Sequence, residues 1–432
     1  MLMVVIITAG AYVLASLGTD ARIPANIIPF LVAVLGLLLA AHVAVRRLAP
    51  EADPILLPMA ALLNGLGYVV IAGLPEQFNV PSGETLARQQ ALWTLIGVAA
   101  FVAVLWFVKR PRDLVRYRYT FGLLGIGLLL LPLVPGIGTD RGSGSRIWVS
   151  VGAINFQPGE IAKVLLAIFF AAYLAEQREL IATSVWKVGP LRLPDPKYLG
   201  PVLAAWGVTL VVMVYQKDLG SSLLFFGLFV VMIWVATGRP SFLVIGAGLF
   251  AAGAWFAWRV FGHVQDRVTI WLDPWTDPDD SGYQILQSMF AMAFGGITGT
   301  GLGLGTDARI PASESDFIFA VIAEQLGLLG GALVIMAFLL MVGSGLRIAA
   351  RADHAFDKLL ATGLTVLLGL QAFIIIAGVT RLLPLTGVTL PFVSYGGSSL
   401  VVNYVLLALL LRLSDQTARR RAGAGATAAV AA

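Results

Sequence analysis

Asp316 closes the polar run Ser313-Glu314-Ser315-Asp316 and stands immediately before an apolar stretch that begins FIFAVIAEQLG. A carboxylate at such a boundary has two readings. It can cap the helix that follows, because Ser and Asp accept orphan N–H groups and a negative charge suits the helix dipole. It can also serve as a general base at the water boundary, with Glu314 raising its proton affinity by like-charge repulsion. The two are compatible. A second group lies in Gln157-Pro158-Gly159-Glu160-Ile161-Ala162-Lys163, where a proline and an acid in the first turn signal a helix start. Glu160 and Lys163 share one helix face at i,i+3. They read either as a capping ion pair or, through Lys163 with Arg146 and Arg267, as part of a cationic cluster around an anionic lipid head group. Lys217-Asp218, in YQKDLGSS, reads as two solvated turn charges. Pro384, Thr386-Gly387, Pro391 and Ser394-Tyr395-Gly396-Gly397-Ser398 make an ordered re-entrant loop. The strip GTGLGLG at 299–305 has no strand before it, so it reads as a close-packed or re-entrant turn and not as a nucleotide loop.

The elements that must position these groups are membrane helices. With 432 residues, 58% hydrophobic, 12% charged and mean hydropathy +0.88, the composition is that of a polytopic membrane protein, since a soluble chain carries roughly twice the charge. About twelve apolar segments are near the roughly 20 residues that a spanning helix needs, the first at Leu2–Leu17 and the last at Leu400–Leu411. The fold class is therefore all-α, with one long polar interruption at 262–316. That loop carries Asp266, Asp273, Asp277, Asp279, Asp280, Asp307 and Glu314 ahead of Asp316, with Arg267 and Arg309 among them. Charges are costly at a bilayer centre, so chemistry belongs at the water boundary or in an internal cavity.

Basic residues orient the chain. If the N-terminus is cytoplasmic, 19 of the 29 Lys and Arg fall inside, as the positive-inside rule requires. Both termini are then cytoplasmic, and the 262–316, 138–160 and 381–399 loops are outside. The net charge of +5 reflects this bias and does not call for nucleic acid. There is no Cys, and His is confined to His42, His263 and His354, which excludes thiolate metal sites and leaves a zinc protease or Ser-His-Asp hydrolase without its parts. No GxxxxGK[ST] occurs, which argues against an ATP-driven pump. The chain divides into N-terminal spans at 1–118, a core at 119–412 and a basic tail at 413–432, read as disordered.

In this order, SRIW…QPGEIAK, QKDLGSS, RVTIWLDPW…SGYQILQS, SDFIFAVIAEQLG and LLPLTGVTLPFVSYGGSS resemble the SEDS family of shape, elongation, division and sporulation proteins, over about residues 119–412. The two additional N-terminal segments are similar to those of RodA-type members rather than FtsW. The resemblance implies a peptidoglycan glycosyltransferase that polymerises lipid II beside a class B penicillin-binding protein in the bacterial plasma membrane. The family was also proposed to flip lipid II. The resemblance puts the family's loop acid on Asp316 and its binding motifs on Arg146, Gln157, Glu160, Lys163, Gln284 and Gln287, with Ser394 in the last loop. This chain departs from the pattern at Gly159, Lys217 and Glu314, where Ser, Pro and His are usual. In such chemistry a diphosphate leaves without protonation if cations hold it. Arg146, Lys163 and Arg267 are the candidates, or a divalent cation (Mg or Mn) held by nearby acids. One base then suffices for the acceptor hydroxyl.

Overall fold

The computed structural model describes the chain except for residues 21–26, 75–81, 140–144, 152–153, 184, 189–190, 195, 306–309 and 432. Asp307 and Arg309 therefore lie outside the described residues. Fourteen α-helices are present among those that are described. They are α1 (Leu2–Asp20), α2 (Ile27–Leu48), α3 (Leu56–Ala72), α4 (Gly83–Phe107), α5 (Arg118–Leu130), α6 (Pro158–Thr183) and α7 (Pro196–Tyr215), then α8 (Leu219–Thr237), α9 (Ser241–Val260), α10 (Gly262–Leu272), α11 (Tyr283–Gly295), α12 (Ile318–Arg351), α13 (Ala355–Val379) and α14 (Gly397–Ala431). Between α5 and α6 a small antiparallel sheet, β1 (Gly138–Thr139), β2 (Trp148–Val151) and β3 (Ile154–Phe156), pairs Val149 with Phe156. A hairpin, β4 (Val185–Val188) and β5 (Leu191–Pro194), joins α6 to α7.

Eight helices among the described residues are long and apolar enough to cross a membrane, against the twelve segments expected. Three more, at 2–18, 56–72 and 200–215, are apolar but short of the roughly 20 residues that a span needs. The helices sort by burial. Three-quarters of the spanning stretch of α6 and α14 is buried (78% in each), whereas that of α9 is 11% buried. So α6, α13 and α14 form the centre, packed through Phe170, Leu364, Leu368, Leu407 and Leu410, and α9 presents Val244, Leu249 and Phe256 outward. In a bilayer such exposed apolar faces meet lipid.

The long polar interruption is mostly structured, since it contains α10 and α11 and a turn at Pro274–Thr276. Its glycine strip docks on a break in α12, where Gly327 leaves helical geometry (φ 67°, ψ −167°). Thr300 and Gly301 donate backbone bonds to the carbonyls of Glu324 and Gln325, and Leu328 donates to Gly296. Gly299 and Gly327 both have positive φ, and a Cβ at either would meet the other segment's backbone at 2.2–2.4 Å. Only glycine permits this approach. The first helix has a place here too, because Gly18 of α1 lies against Leu302 of the strip.

The tail differs from expectation. α14 does not stop near 412 but runs on, with Leu413, Asp415 and Thr417 buried. Arg412 donates to the carbonyls of Leu48 and Leu105, and Asp415 accepts from Glu51 N. These tertiary partners hold the polar first part of the tail, as far as Arg420, which pairs with Asp357.

Candidate active site

Asp316 does not cap α12. The cap position is Phe317, and no side chain makes a capping bond there. The segment before it is held by its own turn, in which Ser315 and Phe317 donate to the carbonyl of Ala312, at 3.1 and 3.2 Å. Ala312 has φ 55°, strained for a residue with a Cβ. The last loop grips this turn. Tyr395 N donates to Glu314 O at 2.8 Å, and Ser394 Oγ donates to Ser315 O at 2.7 Å while accepting from Leu390 N at 2.8 Å. Ser394 is thus a buried brace for the backbone that carries Asp316, and its hydroxyl is fully occupied by protein. Gly387 (φ 71°) leaves the space beside Asp316 Oδ2 open, since a Cβ there would lie 3.7 Å from that oxygen.

Arg267 enters from α10. Its Nη1 donates to Leu385 O at 3.0 Å. Further along, Arg381 donates to the carbonyls of Trp271 and Leu272 while Trp271 Nε1 donates back to Arg381 O, which clamps α10 to the last loop. Asp218 arrives from α8, whose first turn packs closely on Thr386 and Val388 through Gly220. Asp218 caps α8 by accepting from Ser221 N at 2.9 Å, and Lys217 before it takes φ 59°.

The electrostatics tie these groups together. Burial first and Glu314 second raise the Asp316 carboxyl to about 6, against the opposing pull of Arg267 and a Ser315 hydrogen bond. Glu314 is itself raised by burial, and its Oε2 is buried without a hydrogen-bond partner among the described residues. Asp218 is also raised by burial, and Glu160 adds to this while Ser221 and Arg267 oppose it. Arg267 is lowered by burial and sustained by both Asp218 and Asp316. One guanidinium therefore serves two desolvated acids. His263, one turn before Arg267, is held below its usual value by burial, Arg267 and Lys217, so it is neutral at pH 7.

Glu160 and Lys163 form the ion pair that their i,i+3 spacing suggests, but away from solvent. Both are buried, Lys163 Nζ lies 2.5 Å from Glu160 Oε2, and it also donates to Gln371 Oε1 at 2.7 Å. Gln371 Nε2 donates to Thr389 O at 2.8 Å, and Thr389 Oγ1 donates to Ser399 Oγ at 2.9 Å. This chain of bonds fixes α6, α13 and the last loop to one another. Arg146 lies exposed just before β2, and Gln284 is half-buried in the first turn of α11. None of the interactions above reaches either. Asp218, Gln371 and Thr389 had no assigned role in the sequence. A lone Gln within the apolar run LLGLQAFIII was the available signal, because a polar side chain inside a span needs a partner.

The acids Asp218 and Asp316, the arginine between them and the buried Glu160–Lys163 pair line one end of the helix bundle. At the opposite end of α13, roughly 37 Å away for 25 residues at about 1.5 Å each, Asp357 pairs with Arg112 and Arg420. The profile of the cell cycle protein family, which groups FtsW, RodA and SpoVE, matches residues 54–419. It starts well before the first recognisable motif and runs into the helical tail. The peptidoglycan glycosyltransferase RodA of Mycobacterium tuberculosis is 46% identical over 96% of this chain and 89% of its own length. That of Mycobacterium leprae is 48% identical over 87% of this chain and 80% of its own length. A solved structure described as "Structural coordination of polymerization and crosslinking by a peptidoglycan synthase complex" covers 85% of this chain and 98% of that one, with TM-score 0.69 and 26% identity. With matches of this extent across the segments that frame Asp316, the chain belongs to the FtsW, RodA and SpoVE family, the SEDS proteins.

Proposed function

We propose that this protein is a peptidoglycan glycosyltransferase of the RodA type, which polymerises lipid II into glycan strands during cell-wall elongation, with Asp316 as general base. The observation that carries the reading is a desolvated carboxyl with a pKa of about 6, facing an arginine at the end of a membrane bundle. A base poised near the working pH is ionised yet takes up a proton readily. In the reaction the acceptor hydroxyl attacks the donor sugar's C1 and passes its proton to Asp316. The C1–O bond to the lipid diphosphate breaks, and the diphosphate departs with its electron pair. Arg267 is a cation whose charge acts on this acid, and it stabilises the leaving charge. Lys163 acts through the bonded network that sets the positions of α6, α13 and the last loop. Arg146 and Gln284 are assigned to the more distant parts of the substrate.

Among the described residues no three carboxylate or imidazole groups converge as a metal shell requires, so no step is routed through a divalent cation. The partner is a class B penicillin-binding protein, by analogy with a structural neighbour concerned with polymerisation and crosslinking. Both termini are placed in the cytoplasm by the basic residues of the Lys109–Arg118 run and the C-terminal helix. A second reading, movement of lipid II across the bilayer, draws on the break in α12 at Gly327 beside buried Glu324 and Gln325, since broken helices line many transport paths. Purified protein, with and without the penicillin-binding partner, is to be incubated with labelled lipid II and examined for glycan chains. Chains support polymerisation. Their absence with both proteins present, alongside lipid II movement in vesicles, supports transport.

A further inference from the structure

At the other end of the bundle, the ends of α2 and α4 and the cytoplasmic portion of α14 enclose a cleft of about 590 Å³. That is the size of a ligand site, which runs roughly 300–1,000 Å³. Its lining carries six cations, Arg47, Lys109, Arg110, Arg412, Arg419 and Arg420, and a single acid, Asp415. The acid is already occupied. It accepts from Glu51 N at 2.9 Å and from Arg419 Nε at 3.0 Å, with Arg412 3.9 Å away. Two of the cations are also engaged, Arg412 with the carbonyls of Leu48 and Leu105, and Arg420 with Asp357 at 3.2 Å. Arg47, Lys109 and Arg110 are exposed, and their side chains have no ion-pair or hydrogen-bond partner among the described residues. Three unpaired cations beside a fully used acid form a built positive site.

The rim identifies the anion. Trp106 lines the cleft and is 60% exposed, and Phe107 beside it is 79% exposed. Both end α4, at the level where the apolar helix gives way to Lys109 and Arg110. Aromatic rings with one apolar and one wet side mark the membrane interface. The cleft therefore opens sideways at head-group depth, where phosphodiesters are concentrated, and arginine pairs suit phosphate oxygens. We infer that this cleft binds the head group of an anionic phospholipid, which joins α2, α4 and α14 at the end of the protein remote from Asp316. Basic pockets between spans on the cytoplasmic side are suited to such lipids. The leaflet follows from the orientation proposed above, while the lipid class does not depend on it, nor on the glycosyltransferase reading.

The test uses full-length protein in neutral detergent, titrated with short-chain phosphatidylglycerol, short-chain phosphatidylcholine, inorganic phosphate and a poly-glutamate peptide. Thermal unfolding and Trp fluorescence are the readouts. The comparison protein carries Arg47→Gln, Lys109→Gln and Arg110→Gln together. All three positions are exposed, so folding should be retained, and Arg46→Gln serves as a matched surface control. Phosphatidylglycerol should raise the melting temperature saturably, with an apparent affinity at least tenfold weaker in the triple variant and unchanged in the control. Phosphatidylcholine should have no such effect. Equal responses to the two lipids, or an unchanged affinity in the triple variant, would overturn the inference. A response to phosphate alone, or to the acidic peptide without the lipid, would overturn it in favour of a soluble anion or a protein partner.

Discussion

Asp316→Asn should make the protein more stable. The carboxyl is raised from 3.8 to about 6, chiefly by burial, so the folded state holds its ionised form at a cost. At about 1.4 kcal/mol for each tenfold change in proton affinity, the cost is on the order of 3 kcal/mol. The sign follows from linkage. Folding raises this pKa, so the penalty is fully present above about 6 and vanishes as the pH falls through about 6 towards 3.8. The amide is neutral at every pH and similar in size. No capping contribution is lost, because α12 begins at Phe317 without a side-chain cap. Thermal unfolding of the two proteins in detergent should therefore show the variant melting a few degrees higher at pH of about 8, with the curves converging at pH of about 4. A variant that melts lower at pH of about 8, or a difference independent of pH, would refute the idea that burial of an ionised base stores this energy.

Lys163→Ala should reduce the yield of folded protein, since it leaves Glu160 and Gln371 buried without their partner. Breaking a buried pair this way costs about 3–5 kcal/mol, and adding Glu160→Gln should recover part of it in a melting assay. Glu314→Gln removes the second cause of the raised Asp316 pKa. The acidic limb of the pH–rate profile should then move to lower pH without reaching 3.8, because burial remains. Single cysteines at Asp279 and Ala352 should react with an impermeant reagent from outside in the first case only. Labelling of Ala352 and not Asp279 would invert the proposed orientation.

Much of this architecture was legible in the sequence, for a physical reason. Long apolar runs have few ways to satisfy their backbone in lipid, so the helical class follows from composition. The close packing of the glycine strip was legible as well, because a glycine run with no strand before it suits close packing better than phosphate binding. What was not legible depends on contacts between distant parts of the chain. Asp218 reads as a solvated turn charge until α8 is docked on Thr386 and Val388. Lys163 reads as half of a local pair until Gln371, 208 positions away, is placed beside it. The start of the tail reads as disordered until Leu48, Leu105 and Glu51 are brought against Arg412 and Asp415. The cap reading of Asp316 failed by one residue, since the helix starts at Ile318 and the preceding turn is closed on Ala312.

Glycan polymerisation by Asp316→Asn protein, normalised to the amount inserted and folded, is the most direct measurement of the proposed mechanism. Labelled lipid II is supplied with the class B penicillin-binding partner, and products are resolved by chain length. An amide cannot take the acceptor proton, and loss of a general base lowers rates by about 10²–10⁴. The expected result is a folded protein, at least as stable as the parent, that makes no glycan chains on the time scale of the parent enzyme. Chains of normal length at a normal rate would show that Asp316 is not the base and contradict the mechanism.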